Sequence, residues 1–198
     1  MPRPSTIKDE QILDAARAVF LEKGISATTA QVARKAKIAE GSIFNRFPTK
    51  RELFQAAMQP QMDDPDFIRL LERRVGRGDL RRTWRDAGAE AIDFFRRVMP
   101  LMMMSWSNRD GGPFPKVLST PDPPPLKGLR RVAAVLDKEM RARRLKRRDP
   151  QVLARVFVGS LQNYVFFELL MKANGLDVIP TDRYLLELID LLWNGAAP

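Results

Sequence analysis

The 198-residue chain contains no cysteine and no histidine. No disulfide can brace it, and no thiolate can serve as nucleophile or ligand. The usual donors of a structural zinc site are missing, so no metal is expected. Ser-His-Asp and Cys-His catalysis is excluded outright. Acid/base work would fall to Asp, Glu, Lys or Tyr, and no close carboxylate pair stands out. No catalytic residue and no cofactor is therefore assigned, and an enzyme is not expected. The chain also lacks long hydrophobic runs. Its longest, near residues 98–104, is far too short to span a bilayer. Residues 1–9 are polar and run straight into an amphipathic helix, without the pattern of a signal peptide. These features give the expectation of a cytoplasmic protein with no membrane partner. No segment alternates apolar and polar residues with period two, so strands are not expected.

What the chain has in excess is positive charge. Lys and Arg number 34 against 24 Asp and Glu, a net +10. Such a balance points to an anionic partner, most often nucleic acid. Ile12, Ala15, Ala16, Val19 and Phe20 recur three and four apart on one helical face, and Gly24 ends that helix. Thr28 to Gln31 spells a capping box, and Thr49 to Glu52 spells a second. Between them the pattern predicts a short helix over 29–36, a connection at 37–39 and another short helix over 40–47, which Pro48 stops. Asp64-Pro65, Asp79, Asp149-Pro150 and Thr181 mark further helix starts. Pro100 should kink the helix that begins near Asp79. Residues 108–125 hold two Gly and six Pro and read as a long loop. A basic helix is expected over 126–145, then helices over 151–173 and 182–193. The fold class is all-α, about nine helices in total. The division is a three-helix helix-turn-helix DNA-binding domain at 1–50 and a helical effector-binding and dimerisation domain at 51–198.

Two short helices joined by a tight turn, with a third packed behind, form a helix-turn-helix. Val32, Ala33, Ala36, Ile43 and Phe47 can pack against Ile12, Ala16 and Phe20. That leaves Glu40, Ser42, Asn45 and Arg46 outward, a set that mixes base readers with phosphate binders. Gly41 has no side chain to hinder close approach to a groove. Thr28 and Thr29 at one helix N-terminus, Lys37 in the turn and Lys50 at the next helix start suit phosphate. The run G-I-S-A-T-T-A-Q-V-A-R-K-A-K-I-A-E-G-S-I-F-N-R-F-P-T-K-R-E-L-F, from Gly24 to Phe54, resembles the TetR family of regulators. The resemblance covers roughly the first 55 residues. It implies DNA contacts from Thr28, Thr29, Ser42, Phe44, Asn45, Arg46 and Lys50. The chain departs from the family pattern at four positions. Lys37 stands where glycine is usual, Ala39 where a capping serine is common, Phe44 where tyrosine is common, and Arg46 where histidine is common.

In the second domain, residues 151–171 are apolar nearly all round, which marks a helix buried on more than one face. With the last helix it reads as half of a two-fold four-helix interface, carried by Val156, Leu161, Phe166, Leu185, Leu188 and Leu192. The final two helices have that role in the resembled family. A small hydrophobic effector is expected to meet Trp84, Phe95, Met99, Met102, Met103, Trp106 and Phe114. Asn163 and Tyr164 would supply polar groups. The functional expectation is a homodimeric regulator, a repressor released from a pseudo-palindromic double-stranded operator by that effector. The alternatives are a DNA-binding architectural protein without effector and a small-molecule-binding protein with a vestigial helix-turn-helix.

Overall fold

Nine α-helices and one 3₁₀ turn make up the described residues, 9–107 and 121–196, of a computed structural model. No strand occurs among them, so the chain is all-α. No helix among them is long and apolar enough to cross a membrane. The chain divides into two compact units, residues 1–62 with 100–119, and residues 63–99 with 120–198.

The first unit begins with α1 (Asp9–Lys23). Its acids sit in the first turn and Lys23 in the last, each opposing the helix dipole. A 3₁₀ turn (Gly24–Ser26) follows, with Gly24 at φ 57, a left-handed conformation that suits glycine. Then come α2 (Thr29–Ala36), α3 (Glu40–Phe44) and α4 (Lys50–Asp63). Ile12, Ala16, Phe20, Val32, Ile43 and Leu53 are buried in one cluster, with Ala36, Ile38 and Phe47 half-buried against it. Phe20 meets Phe54 edge-on at 5.1 Å. The helix predicted over 40–47 is shorter than its pattern. After Phe44 the chain tightens into a turn, in which the Phe47 N–H still donates to the Ile43 carbonyl at 2.8 Å. Pro48 disfavours the helical conformation in the residue before it, so the last turn cannot stay regular.

The second unit holds α5 (Asp66–Arg74), the start of α6 (Leu80–Ser107), α7 (Pro124–Arg141), α8 (Pro150–Ala173) and α9 (Thr181–Ala196). Asp149 caps α8 as read, accepting the Gln151 and Val152 amides, with Pro150 at the first helical position. Asp64-Pro65 does not repeat that arrangement. Pro65 takes the capping position, and Asp64 turns to Arg131 at 2.7 Å and Arg69 at 3.1 Å. Pro100 lies inside α6, which continues to Ser107. The basic helix runs over 124–141 rather than 126–145. It starts earlier because Pro124 needs no amide partner at the first turn. It stops earlier because Arg143 adopts φ 57. The Arg143 amide then donates to the Met140 carbonyl at 3.1 Å and the Arg144 amide to the Glu139 carbonyl at 3.0 Å, a closed C-terminal cap.

Trp84 centres the core of this unit, 4.8 Å from Phe157 and 5.8 Å from Trp193 by ring centroids. A polar strut crosses it from α6 to α8. Arg96 donates through Nε to Glu168 at 2.8 Å and through Nη2 at 2.9 Å, and reaches the Thr181 hydroxyl at 2.9 Å. The Glu168 side chain is only 5% exposed and Arg96 35%. The paired guanidinium holds the Glu168 carboxyl below the usual carboxylate range, against the opposing effect of burial. A carboxylate with a depressed pKa stabilises the fold at pH above its unfolded value of 4.5, and that contribution is lost as pH falls through the lower, folded value. Arg96→Ala removes the guanidinium from a nearly buried carboxylate and leaves it the bond from Lys172 at 2.9 Å. Solvent reaches Arg96 itself, so the expected cost near neutral pH is about 2–3 kcal/mol. Thermal melts across a pH series should show this deficit shrinking as the carboxyl protonates below pH 4.5. A deficit independent of pH would assign the loss to packing instead.

Candidate nucleic-acid interface

The turn between α2 and α3 is built by backbone bonds. The Lys37 amide donates to the Arg34 carbonyl at 3.2 Å and the Ile38 amide to the Ala33 carbonyl at 3.0 Å. This closure needs a left-handed residue, and Lys37 supplies it at φ 57, ψ 46. A side chain in that region costs about 1–2 kcal/mol over glycine. The side chain is exposed, so a cation stands at the apex of the turn.

At the start of α2 the capping box forms as read. The Thr28 hydroxyl accepts the Gln31 amide at 3.2 Å, and the Gln31 side chain accepts the Thr28 amide at 3.0 Å. Thr29 is buried, and its hydroxyl donates to Glu40 Oε1 at 2.6 Å. This bond ties the first turn of α2 to the first residue of α3. It also compensates for Ala39, which precedes α3 with no side-chain capping bond. Sequence reasoning missed the pairing because the two residues lie eleven positions apart and each looked like a solvent-facing contact. On α3, Ile43 alone is buried, while Gly41, Phe44 and Asn45 are exposed and Ser42 is half-buried.

Arg46 is not extended into solvent. Its guanidinium lies 2.7 Å from the Asp9 carboxylate and donates to the Ser42 carbonyl at 3.1 Å. A phosphate must compete with Asp9 for it. At the start of α4 the Thr49 hydroxyl accepts the Glu52 amide at 3.1 Å, and half-buried Lys50 follows at the first helical residue. The arrangement thus offers one exposed amide side chain, Asn45, at the C-terminal cap of a short helix, flanked in sequence by cations at Lys37 and Lys50. Backbone amides at helix starts and cations bind phosphate, while an amide side chain discriminates base edges.

The other expected site residues divide. Phe95 is buried and Met99 half-buried, beside an aromatic group in which Phe67 lies 5.8 Å from Phe94 and 6.1 Å from Phe95. Trp84 is enclosed by Phe157 and Trp193. Met102 is half-buried and Met103 is 48% exposed. Phe114 and the side chain of Trp106 lie outside the described residues. Asn163 is exposed on α8. Tyr164 is buried, and its hydroxyl donates to the Ile179 carbonyl at 2.7 Å.

Among the residues expected to pair two copies, Val156 and Phe166 are exposed, at 44% and 42%. Leu161, Leu185 and Leu188 are buried within the second unit, and Leu192 is half-buried. Further exposed apolar positions are Val152, Phe167 and Leu170 on α8, with Leu186 and Leu191 on α9. Because α8 is apolar on every side, its sequence periodicity could not separate the inner face from the outer.

Residues 12–57, from within α1 into α4, match the family model for bacterial regulatory proteins of the tetR family. Solved structures share the whole fold at low identity. FadR from Bacillus subtilis, in complex with stearoyl-CoA, is 18% identical at TM-score 0.68, covering 95% of this chain and 99% of the other. A TetR transcriptional regulator from Streptomyces coelicolor is 19% identical at TM-score 0.61, over 93% and 98%. SmeT in complex with triclosan is 19% identical at TM-score 0.60, over 96% and 91%.

Lys37→Gly should relieve the left-handed strain and stabilise the head by about 1 kcal/mol. Denaturant unfolding checks the stability, and binding to duplex DNA should weaken at the same time. A gain in stability with unchanged DNA binding would show that Lys37 touches no phosphate.

Proposed function

We propose that the chain is a homodimeric, effector-responsive transcriptional regulator that acts as a repressor and reads a duplex operator through α3. The observation that carries this reading is the exposed Asn45 at the C-terminal cap of a helix whose single buried residue, Ile43, anchors it among the first unit's core residues. Asparagine can meet adenine with two hydrogen bonds in the major groove, and Ser42 is a permissive second reader. Lys37, Lys50 and the helix start at Thr28 hold the phosphates on either side, which sets register without choosing sequence. Thr29 and Glu40 act as the clasp that fixes the angle of the reading helix.

Pairing of two copies is supported by the exposed apolar stripe on α8 and α9. Val152, Val156, Phe166, Phe167 and Leu170 would be left to water in a lone chain. A two-fold pair presents two reading helices about 34 Å apart, one turn of duplex, so the operator should be a pseudo-palindrome. An effector of small hydrophobic type is supported by the Phe67–Phe94–Phe95 group with Met99 beside it. The structurally similar FadR and SmeT are solved in complex with stearoyl-CoA and triclosan, of which the first carries a long apolar acyl chain on a polar, anionic coenzyme and the second is largely apolar. Release follows if the effector favours a dimer whose reading helices miss successive grooves. Moving the population from nearly all bound to nearly all free requires a preference of about 5.5 kcal/mol between the two states.

Gel shifts with the DNA flanking the gene test the reading, with random duplex as competitor. A discrete, competitor-resistant complex at two chains per site is expected. Asn45→Ala should cost about 1–3 kcal/mol of specific binding and relax the preference at one base position. Lys50→Ala should weaken all sequences alike and flatten the salt slope by about one unit. An Asn45→Ala protein that binds its operator as the parent does would sink the assignment of α3.

Phe167→Glu places a charge on the exposed α8 stripe, so sedimentation should show a folded single chain in place of the dimer. An intact dimer would move the interface elsewhere.

A further inference from the structure

The positive charge of this chain is not concentrated in its helix-turn-helix. Residues 1–62 hold 10 cations and 6 acids, a balance of +4. Residues 73–85 and 141–155 together hold 13 cations and 2 acids, a balance of +11 that exceeds the +10 of the entire chain. Everything outside these two segments therefore sums to −1.

The fold joins the two segments at one end of the second unit. There α5 ends, α6 begins, α7 ends and α8 begins. Arg144 donates to the carbonyls of Arg77 and Gly78, at 3.3 and 2.9 Å. Nearly buried Glu139 accepts the Gly76 amide at 2.9 Å and lies 2.8 Å from Arg144 Nε. The connection 75–79 and the turn 142–148 are thus clasped together by a carboxylate and a guanidinium.

Both acids of the two segments are turned onto helix starts. Asp79 accepts the Arg82 amide at 2.6 Å, and Asp149 caps α8. Acids outside the two segments pair with four of the cations: Asp86 with Arg74, Asp190 with Arg81, Asp137 with Arg141 and Glu139 with Arg144. Arg73, Arg77, Arg143, Lys146 and Arg147 are exposed and have no ion-pair partner among the described residues. Arg143 stands at φ 57, where glycine would be unstrained. It shares this feature with Lys37, and they are the two non-glycine residues of positive φ among those described. Strain retained at an exposed cation marks a site where the charge is wanted at the tip of a turn.

We infer that this end of the second unit is a separate binding surface for the phosphate backbone of double-stranded nucleic acid, engaged without regard to sequence. The chemistry selects that partner. Twelve of the thirteen cations are arginine, whose planar fork matches phosphate oxygens in pairs. The one aromatic residue in the two segments, Trp84, is buried, and their one strongly exposed large apolar residue, Val152, belongs to the α8 stripe. A protein interface needs an aromatic or apolar centre, a membrane surface needs apolar side chains to insert, and single-stranded nucleic acid needs aromatic platforms. Duplex phosphates need cations alone. The surface goes beyond operator reading and does not depend on it.

The test uses the full-length protein and a fluorescent random-sequence duplex, with binding followed by anisotropy over a salt series. The patch variant combines Arg77→Ala, Lys146→Ala and Arg147→Ala. The head variant combines Asn45→Ala with Lys50→Ala. Neutralising three phosphate contacts should reduce the slope of log affinity against log salt by about three. The head variant should keep the salt-dependent binding that the patch variant loses, whatever becomes of the operator. Arg77→Lys with Arg147→Lys should restore the slope, because the slope follows charge. These side chains carry no ion pair, so an unchanged melting temperature is expected and separates lost binding from lost fold. A patch variant with the parent's affinity and slope overturns the inference. So does patch-dependent binding to phosphatidylglycerol vesicles or to polyglutamate that is tighter than binding to the duplex.

Discussion

An α-helix leaves its first four amides and last four carbonyls without partners, and the nine helices among the described residues multiply that problem. The architecture depends on how those ends are closed. Three helices close in the same way, with a left-handed residue followed by an amide that reaches back five positions. At α2 the residue is Lys37, at α7 Arg143 and at α8 Gly175. Only the last is the glycine that the conformation favours. The two substitutions are both lysine or arginine, and both put a cation at an exposed turn. The strain of each is small against the stability of a domain, and it places charge where a regular helix would not.

Buried charge performs the complementary task of tying helices distant in sequence. Arg96 and Glu168 join α6 to α8, and Glu139 holds the connection 75–79 against the end of α7. Such pairs add little net stability over an apolar core of the same shape, because each charge must leave water. They do fix register. Leucine can slide past leucine, but a fork of two hydrogen bonds at 2.8 and 2.9 Å has one setting. In the head the same role falls to neutral and singly charged partners, Thr29 and Glu40, which set the start of α3 relative to α2.

On the proposed reading, the distribution of charge separates two modes of nucleic-acid recognition. The head has a modest balance, and its chemistry is directional, with an amide, hydroxyls and helix starts. The clasped loops of the second unit have dense charge and no directional reader. A surface of the second kind raises encounter and retention near any duplex, and one of the first kind decides where the chain stops. Net charge alone cannot tell the two apart, since both contribute to the same +10.

Local chemistry made much of this legible in the amino-acid order. The capping boxes at Thr28 and Thr49, the proline stop at Pro48, the Asp149-Pro150 start and the period of Ile12 to Phe20 all act within one or two turns. Their residues alone therefore specify all-α structure and a helix-turn-helix. Tertiary structure decided what depends on residues far apart in the chain. It turned Thr29 from a phosphate contact into a partner of Glu40, folded Arg46 against Asp9, and ended α7 at Arg141 by way of Arg143. It also placed Leu161 and Leu185 in the core while leaving Val152, Phe167 and Leu191 on the surface. A helix apolar on every side has no periodicity from which to read its inner face. A hydrogen bond from a guanidinium to a carbonyl 67 residues away leaves no local trace, and only packing brings the +5 and +6 stretches together.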